Sequence, residues 1–145
     1  MKYTNEIIIN LPRPRVIALF EDPANMKHWQ PGFQSMEHIS GTPGQEGAKS
    51  RLKYKMGSRE IEMIETITRN NLPDSFDGIY EAKGVHNLMF NRFIPLSENQ
   101  TKWISDTEFE FSGFMKLMGW LMPGVFKKQS QQYLDKFKAF AESQK

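Results

Sequence analysis

Several polar side chains fall in step with large apolar ones along this chain. In a strand, successive residues point to opposite faces. On that count Glu65, Asn87, Asn91, Ser105 and Thr107 share a face with Tyr54, Met63, Tyr80, Met89 and Phe109. In a dry core, an unpaired amide or carboxylate costs about 1–3 kcal/mol or more. In a partly hydrated pocket the same groups hold water or a ligand by hydrogen bonds. For Glu65 the placement requires alternation to continue past Met63; a β-bulge near Ile64 would instead turn Ile64 inward and Glu65 outward.

Other chemistries have little support. Gly41-Thr-Pro-Gly-Gln-Glu-Gly47-Ala-Lys49-Ser50 superficially suggests a phosphate loop. However, Ala48 separates Gly47 from Lys49 where the nucleotide motif needs Gly-Lys directly, and the segment runs into a strand rather than a helix. A rim loop is the better reading. The histidines His28, His38 and His86 lack the spacing of a helical metal pair, and the chain has no cysteine, so neither a metal site nor a cofactor is expected. No Gly-x-Ser-x-Gly nucleophile motif occurs.

The elements that must carry the polar face are legible from periodicity. An opening strand, Tyr3–Asn10, is rich in β-branched Ile7, Ile8 and Ile9. Pro12 and Pro14 open a short helix, Arg13 to about Phe20, which Asp22-Pro23 breaks. Ala24–Trp29 reads as a second, single-turn helix stopped by Pro31-Gly32, and a strand follows over about Gln34–Ser40. In Arg51–Met56, Leu52, Tyr54 and Met56 alternate with Arg51, Lys53 and Lys55. A turn at Gly57-Ser58 then pairs Lys55 with Glu60, Tyr54 with Ile61, Lys53 with Glu62 and Leu52 with Met63. A turn at Lys83-Gly84 sets Tyr80 opposite Asn87, Gly78 opposite Met89 and Phe76 opposite Asn91. The last strand, Thr101–Ser112, places Trp103, Ser105, Thr107, Phe109 and Phe111 on one face and charged residues on the other. From Val125, the positions Phe126, Tyr133, Leu134, Phe137, Phe140 and Ala141 recur at helical spacing, predicting an amphipathic helix of about five turns.

The expected architecture is α+β: a curved antiparallel sheet of six to seven strands wrapped around a long C-terminal helix, with two short helices after the first strand. The 145 residues suit a single domain. With 19 Lys plus Arg against 17 Asp plus Glu, the net charge of +2 offers no basic field for nucleic acid. Nothing resembles a signal peptide, and no stretch approaches the roughly 20 apolar residues of a membrane span. A soluble, cytoplasmic protein is the expectation.

The order of these elements resembles the START-like, Bet v 1-like helix-grip superfamily (SRPBCC proteins), and especially its bacterial polyketide cyclase/dehydrase-type branch. The resemblance is carried by the opening strand with Pro12–Phe20 and by Phe20-Glu-Asp-Pro-Ala-Asn-Met-Lys-His-Trp29. The loop Gly41–Gly47, the strand end Phe93-Ile-Pro-Leu96 and the final helix complete it. It covers essentially the whole chain, 1–145. It implies an internal cavity for a small hydrophobic ligand (lipid-, polyketide- or quinone-like), or a cyclase/dehydratase using the same cavity. The expected lining is Tyr54, Met56, Met63, Phe76, Tyr80, Asn87, Met89, Asn91, Phe93, Trp103, Thr107 and Phe109 from the sheet. Phe126 and Tyr133 would join them from the helix. Methionine and aromatic groups adapt to varied apolar partners, although the same spacing also suits an ordinary filled core.

For an enzyme of the cyclase or dehydratase kind, the candidate bases are Glu65, Tyr80 and Tyr133, with Asn87 or Asn91 steadying an enolate oxygen. The cavity arginines of some cyclases have no clear counterpart, because Arg51 and Arg92 fall on outer faces and Arg69 near a strand end.

The segment Phe114–Phe126, with Met115, Leu117, Met118, Trp120, Leu121 and Met122, reads as a loop entering the long helix. As a lid over the cavity it brings Met118 and Leu121 to the ligand. Its alternatives are a homodimer surface, the chain otherwise being a monomer, or a peripheral membrane contact with Trp120 at headgroup level and Lys127 and Lys128 on phosphates.

Overall fold

The computed structural model describes residues 1–144, and Pro123 by its backbone alone. Its elements run β1 (Lys2–Ile9), α1 (Arg13–Glu21), a 3-10 turn (Pro23–Asn25), α2 (Met26–Trp29), β2 (Phe33–Ser40), β3 (Lys49–Met56), β4 (Arg59–Asn71), β5 (Ser75–Ala82), β6 (Val85–Ser97), β7 (Gln100–Phe111), α3 (Phe114–Leu121) and α4 (Pro123–Ser143). The strands form one seven-stranded sheet in the order β1-β7-β6-β5-β4-β3-β2, with every neighbouring pair antiparallel. This is the helix-grip architecture expected from the periodicities.

Charge and hydrophobic pattern set the same register. Lys55↔Glu60, Lys53↔Glu62, Tyr54↔Ile61 and Leu52↔Met63 pair across the β3–β4 hairpin. Tyr80↔Asn87, Gly78↔Met89 and Phe76↔Asn91 pair across β5–β6. A one-residue slip would bring Leu52 and Tyr54 to the wet face and break the opposite-charge pairs. On that convex face Arg51 holds Glu62 at 2.6 Å and Glu37 at 3.1 Å, and Arg92 holds Asp106 at 2.8 Å. The β5–β6 turn is tight because Gly84 adopts φ 76°, a left-handed conformation that glycine takes without a Cβ penalty.

Helix α4 crosses the concave face and is tied to edge strand β1 by side chains. The Tyr3 hydroxyl lies 2.7 Å from Ser130 Oγ, Asn5 Nδ2 donates to Gln131 Oε1 at 2.9 Å, and Lys138 Nζ donates to the Ile8 carbonyl. Its apolar stripe buries Leu134, Phe137 and Ala141 fully. There α1 and α2 complete an aromatic cluster in which Phe20, Trp29, Phe93, Trp103 and Phe137 meet edge-on or stacked, with centroids 5.0–6.2 Å apart. A second, smaller apolar cluster of Met26, Leu52 and Tyr54, backed by Phe33, Ile61, Met63 and Tyr80, occupies the β2–β4 corner.

Two local expectations change. Ala24–Trp29 divides into the 3-10 turn and α2, the turn being capped by Asp22 Oδ1, which accepts from the Ala24 amide at 3.0 Å. The segment after Gly113, expected as a loop, forms α3. Gly119 reads as a breaker, since glycine inside a helix costs about 1 kcal/mol. Here it is the contact point: a Cβ at Gly119 would come within 2.6 Å of the Phe111 ring. Close packing on β7 therefore offsets the poor propensity. Pro123 begins α4, where proline is well tolerated.

Candidate functional site

Cross-strand partners share a face, so the strand registers assemble rows across the concave side. One row reads Ser50↔Glu65↔Tyr80↔Asn87↔Phe109 from β3 to β7. The next reads Ile67↔Gly78↔Met89↔Thr107↔Tyr3. Glu65 thus lies on the inner face. The irregularity of β4 falls between Ile67 and Arg69, downstream of Ile64, so alternation runs unbroken through Glu65.

These rows separate the two apolar clusters. Glu65, Tyr80, Asn87, Met89, Phe109 and Tyr133 are enclosed by sheet and helix but keep solvent-accessible surface. In contrast, Phe93, Trp103, Leu134 and Phe137 keep 2% or less. The former are less tightly packed than the aromatic cluster, although Tyr133 and Tyr80 touch the edges of the two clusters and Phe109 stacks on Phe111. Two surface depressions, one between α1 and the Leu72–Pro73 and Pro95–Glu98 segments and one beside Glu6 and Lys138, lie outside this face and contain none of the expected site residues.

The electrostatics follow from burial. Desolvation raises the Glu65 pKa above the ordinary carboxylate value, while its hydrogen bond with Tyr80 pulls the other way. The Tyr80 hydroxyl is held far above the usual phenol range, first by burial and then by the Glu65 charge and hydrogen bond. Tyr54 is raised by burial and by the charges of Tyr133 and Glu65, and Tyr133 by burial. At neutral pH the three phenols are therefore neutral donors around one carboxyl group. The Tyr54 hydroxyl is already committed to Gln30 Oε1 at 2.5 Å. The Tyr80 ring is steered by Gly78, where a Cβ would meet it at 3.3 Å. Asn87 Oδ1 and Ser105 Oγ are buried with no hydrogen-bond partner among the described residues. Thr107 Oγ1 makes no well-formed hydrogen bond, although Tyr3 lies close enough to interact with it.

The structure gathers Tyr54, Met63, Glu65, Tyr80, Asn87, Met89, Thr107, Phe109 and Tyr133 along the rows. Phe126 joins them by packing on Phe109 and Phe111 at 5.4 and 5.1 Å. Phe76, edge-on to Phe20 at 5.9 Å, marks the boundary with the aromatic cluster. Met56 sits at the rim beside Gly32, and Met118 is half-buried on the inner side of α3.

Phe93, Trp103 and Asn91, expected at the cavity wall, belong instead to the filled core. Phe20 and Phe137 pack on both rings, and Asn91 is spent on accepting from Trp103 Nε1 at 2.9 Å and donating to the Phe76 carbonyl at 3.1 Å. Leu121, expected to reach a ligand, points outward from α3 with 57% of its surface exposed. Sequence reasoning missed Ser50, which one more step of the Leu52–Tyr54 alternation would have found. It also missed Gln30, in a connection without periodicity.

The histidines have structural partners: His86 with Glu81 at 3.4 Å, His28 stacked on Phe140 at 5.1 Å, and His38 with the Gly41 carbonyl at 2.8 Å. Among the described residues no group of His, Asp or Glu is arranged to hold a metal, and no helix is long and apolar enough to cross a membrane.

Solved structures share this arrangement. A conserved protein from Geobacillus kaustophilus superposes with a TM-score of 0.83 at 16% identity, covering 99% of this chain and 96% of that one. The Zhui aromatase/cyclase from Streptomyces sp. R1128 gives 0.80 at 13% identity, with coverage of 98% and 93%. A point mutant of norcoclaurine synthase from Thalictrum flavum, in complex with a transition-state analogue, gives 0.73 at 14% identity, with coverage of 99% and 95%. At such identities the likeness establishes the fold. No curated protein matches the chain by sequence. The family model described as polyketide cyclase / dehydrase and lipid transport matches residues 1–142, and the chain therefore belongs to that family.

Proposed function

We propose that the protein binds a small, largely apolar molecule bearing at least one polar group, of lipid, polyketide or quinone type, between the concave sheet face and α4. The observation that carries this reading is the row Glu65–Tyr80–Asn87. It is enclosed but accessible, flanked by soft apolar groups such as Met63, Met89 and Phe109, and has an unpaired amide oxygen at Asn87. Apolar burial supplies most of the affinity, roughly 25 cal/mol per Å² before ordering costs. A hydroxyl on the ligand satisfies Asn87 Oδ1, and Tyr80 and Glu65 orient a carbonyl or second hydroxyl. The family description and the aromatase/cyclase fold relative are consistent with such a cargo.

Native mass spectrometry of freshly purified protein tests this reading. A co-purifying small molecule is expected, and Met89→Trp, which fills the space in front of Thr107, is expected to lose it while remaining folded. Retention of the molecule by the Trp variant would put the site elsewhere.

A cyclase/dehydratase-type activity at the same site is favoured by one specific juxtaposition, Glu65 directly across the strand pair from Tyr80, with burial raising the carboxyl pKa. The ionised carboxylate of Glu65, made a stronger base by its raised pKa, can take a proton alpha to a carbonyl and become the carboxylic acid, while a neutral phenol donates to the oxygen where charge develops. Loss of turnover in Glu65→Gln with ligand affinity retained distinguishes the enzyme from a carrier.

A further inference from the structure

Helix α3 presents an apolar stripe to solvent. Phe114, Leu117, Trp120 and Leu121, at helical spacing on one face, are 74%, 50%, 79% and 57% exposed. Met122 and Val125 extend the stripe into α4, at 44% and 47%. The opposite face is occupied: Gly119 rests on the Phe111 ring, and the β5–β6 turn meets Met115 at Gly84. The stripe is therefore an outward surface of a docked helix. Scattered exposed apolar residues need no explanation, whereas a contiguous aromatic patch marks an interaction site.

The surrounding charge identifies the partner. Between Glu110 and Asp135 the sequence contains no acidic residue, while Lys116, Lys127 and Lys128 are all exposed. The chain as a whole is nearly balanced, at +2, so this excess is local. In a two-fold dimer the patch would meet its own copy and bring these lysines together. At an anionic bilayer the same lysines face phosphates, and tryptophan takes its preferred place at headgroup level.

We propose that the exposed face of α3 docks the protein on anionic membrane surfaces, with the helix in the plane of the interface and Trp120 among the headgroups. Docking requires no ligand in the cavity, so it stands apart from the function proposed above. It also gives that function a direction. Phe111, beneath α3, continues into the Phe109–Phe126 ring contacts at the cavity edge, so the membrane-facing side is where an apolar cargo would enter or leave.

Sedimentation of the full chain with phosphatidylcholine vesicles, with and without phosphatidylglycerol, tests the proposal. Binding is expected only with the anionic lipid, and it should weaken as salt screens the lysines. Of the three tryptophans only Trp120 is exposed, Trp29 and Trp103 being 6% and 2% accessible, so binding should shift its emission to the blue. Trp120→Glu should reduce partitioning roughly tenfold or more, and Lys127→Gln and Lys128→Gln about fivefold each. Absence of binding to anionic vesicles at low salt overturns the proposal, as does equal binding by Trp120→Glu. A dimer that Trp120→Glu dissociates, without vesicle binding, overturns it in favour of a second copy as the occupant.

Discussion

On β6, Asn87 and Asn91 point to the same side of one sheet, and their surroundings could hardly differ more. Asn91 is 3% exposed, with its oxygen and its amide nitrogen both engaged. Around it Phe20, Trp29, Phe93, Trp103 and Phe137 leave no room. Asn87 sits between Tyr80 and Phe109, half-buried, with its oxygen unpaired. The difference comes from what the helices bring. At Asn91, α1 and α2 add Phe20 and Trp29 to the Phe137 of α4, so the grip closes. At Asn87, α4 contributes Phe126, which packs on the neighbouring Phe109 and leaves Asn87 Oδ1 without a partner. The ends differ in how tightly their side chains pack, since unpaired buried atoms occur at both, Trp29 Nε1 and Ser105 Oγ at one and Asn87 Oδ1 at the other.

Truncating a ring at each end tests this division most severely. Phe137→Ala removes a fully buried ring from the filled end and should cost about 3–5 kcal/mol. Phe126→Ala removes a half-exposed ring from the open end and should cost less than about 2 kcal/mol. Denaturant unfolding midpoints give both values. Equal losses would mean that the two ends are packed alike and that no cavity separates them.

The two asparagines sharpen the contrast at smaller scale. Asn91→Leu keeps the volume but leaves the Trp103 indole N–H and the Phe76 carbonyl without partners, a loss of about 1–3 kcal/mol. Asn87→Leu removes an oxygen that already lacks a partner and should stay within about 0.5 kcal/mol of the parent. The ligand seen by native mass spectrometry should respond in reverse, weakened by Asn87→Leu and unaffected by Asn91→Leu.

The sequence revealed the sheet better than it revealed the site. Alternation around Gly57-Ser58 and Lys83-Gly84 predicts both hairpin registers, because opposite charges outside and apolar groups inside agree on one pairing. It places Asn87 and Asn91 on the inner face equally well. What separates them is tertiary: Phe20 and Trp29 come from short helices whose own periodicity says nothing about which end of the sheet they cover. The same limit applies to α3. Gly119 reads as a breaker from propensity, and only contact with Phe111 shows why a glycine belongs there. The alternation of β4 placed Glu65 inward but left the competing bulge open, and the bulge falls beyond Ile67 because nothing local in the sequence fixes its position.

The smallest effect concerns the carboxyl group of the open end, and its sign is informative. Burial raises the Glu65 pKa above its ordinary 4.5, so the folded protein holds this proton more tightly than the unfolded chain does. Below the ordinary value both states are protonated and the buried carboxyl carries no ionisation cost. Between the ordinary and the raised folded value the unfolded chain ionises while the folded protein keeps its proton, so stability falls across that window and levels off above it. Glu65→Gln removes that cost. The variant should melt with the parent in acid and above it at higher pH, the gap opening as the pH rises past the ordinary value and becoming constant above the folded one. Asp77, whose pKa burial also raises, is present in both proteins and cancels in the difference. A carboxyl group that Tyr80 stabilised fully would behave oppositely: the variant would be the less stable protein at neutral pH, and the Glu65–Tyr80 pair would then belong with Asn91 and Trp103 as a satisfied part of the core.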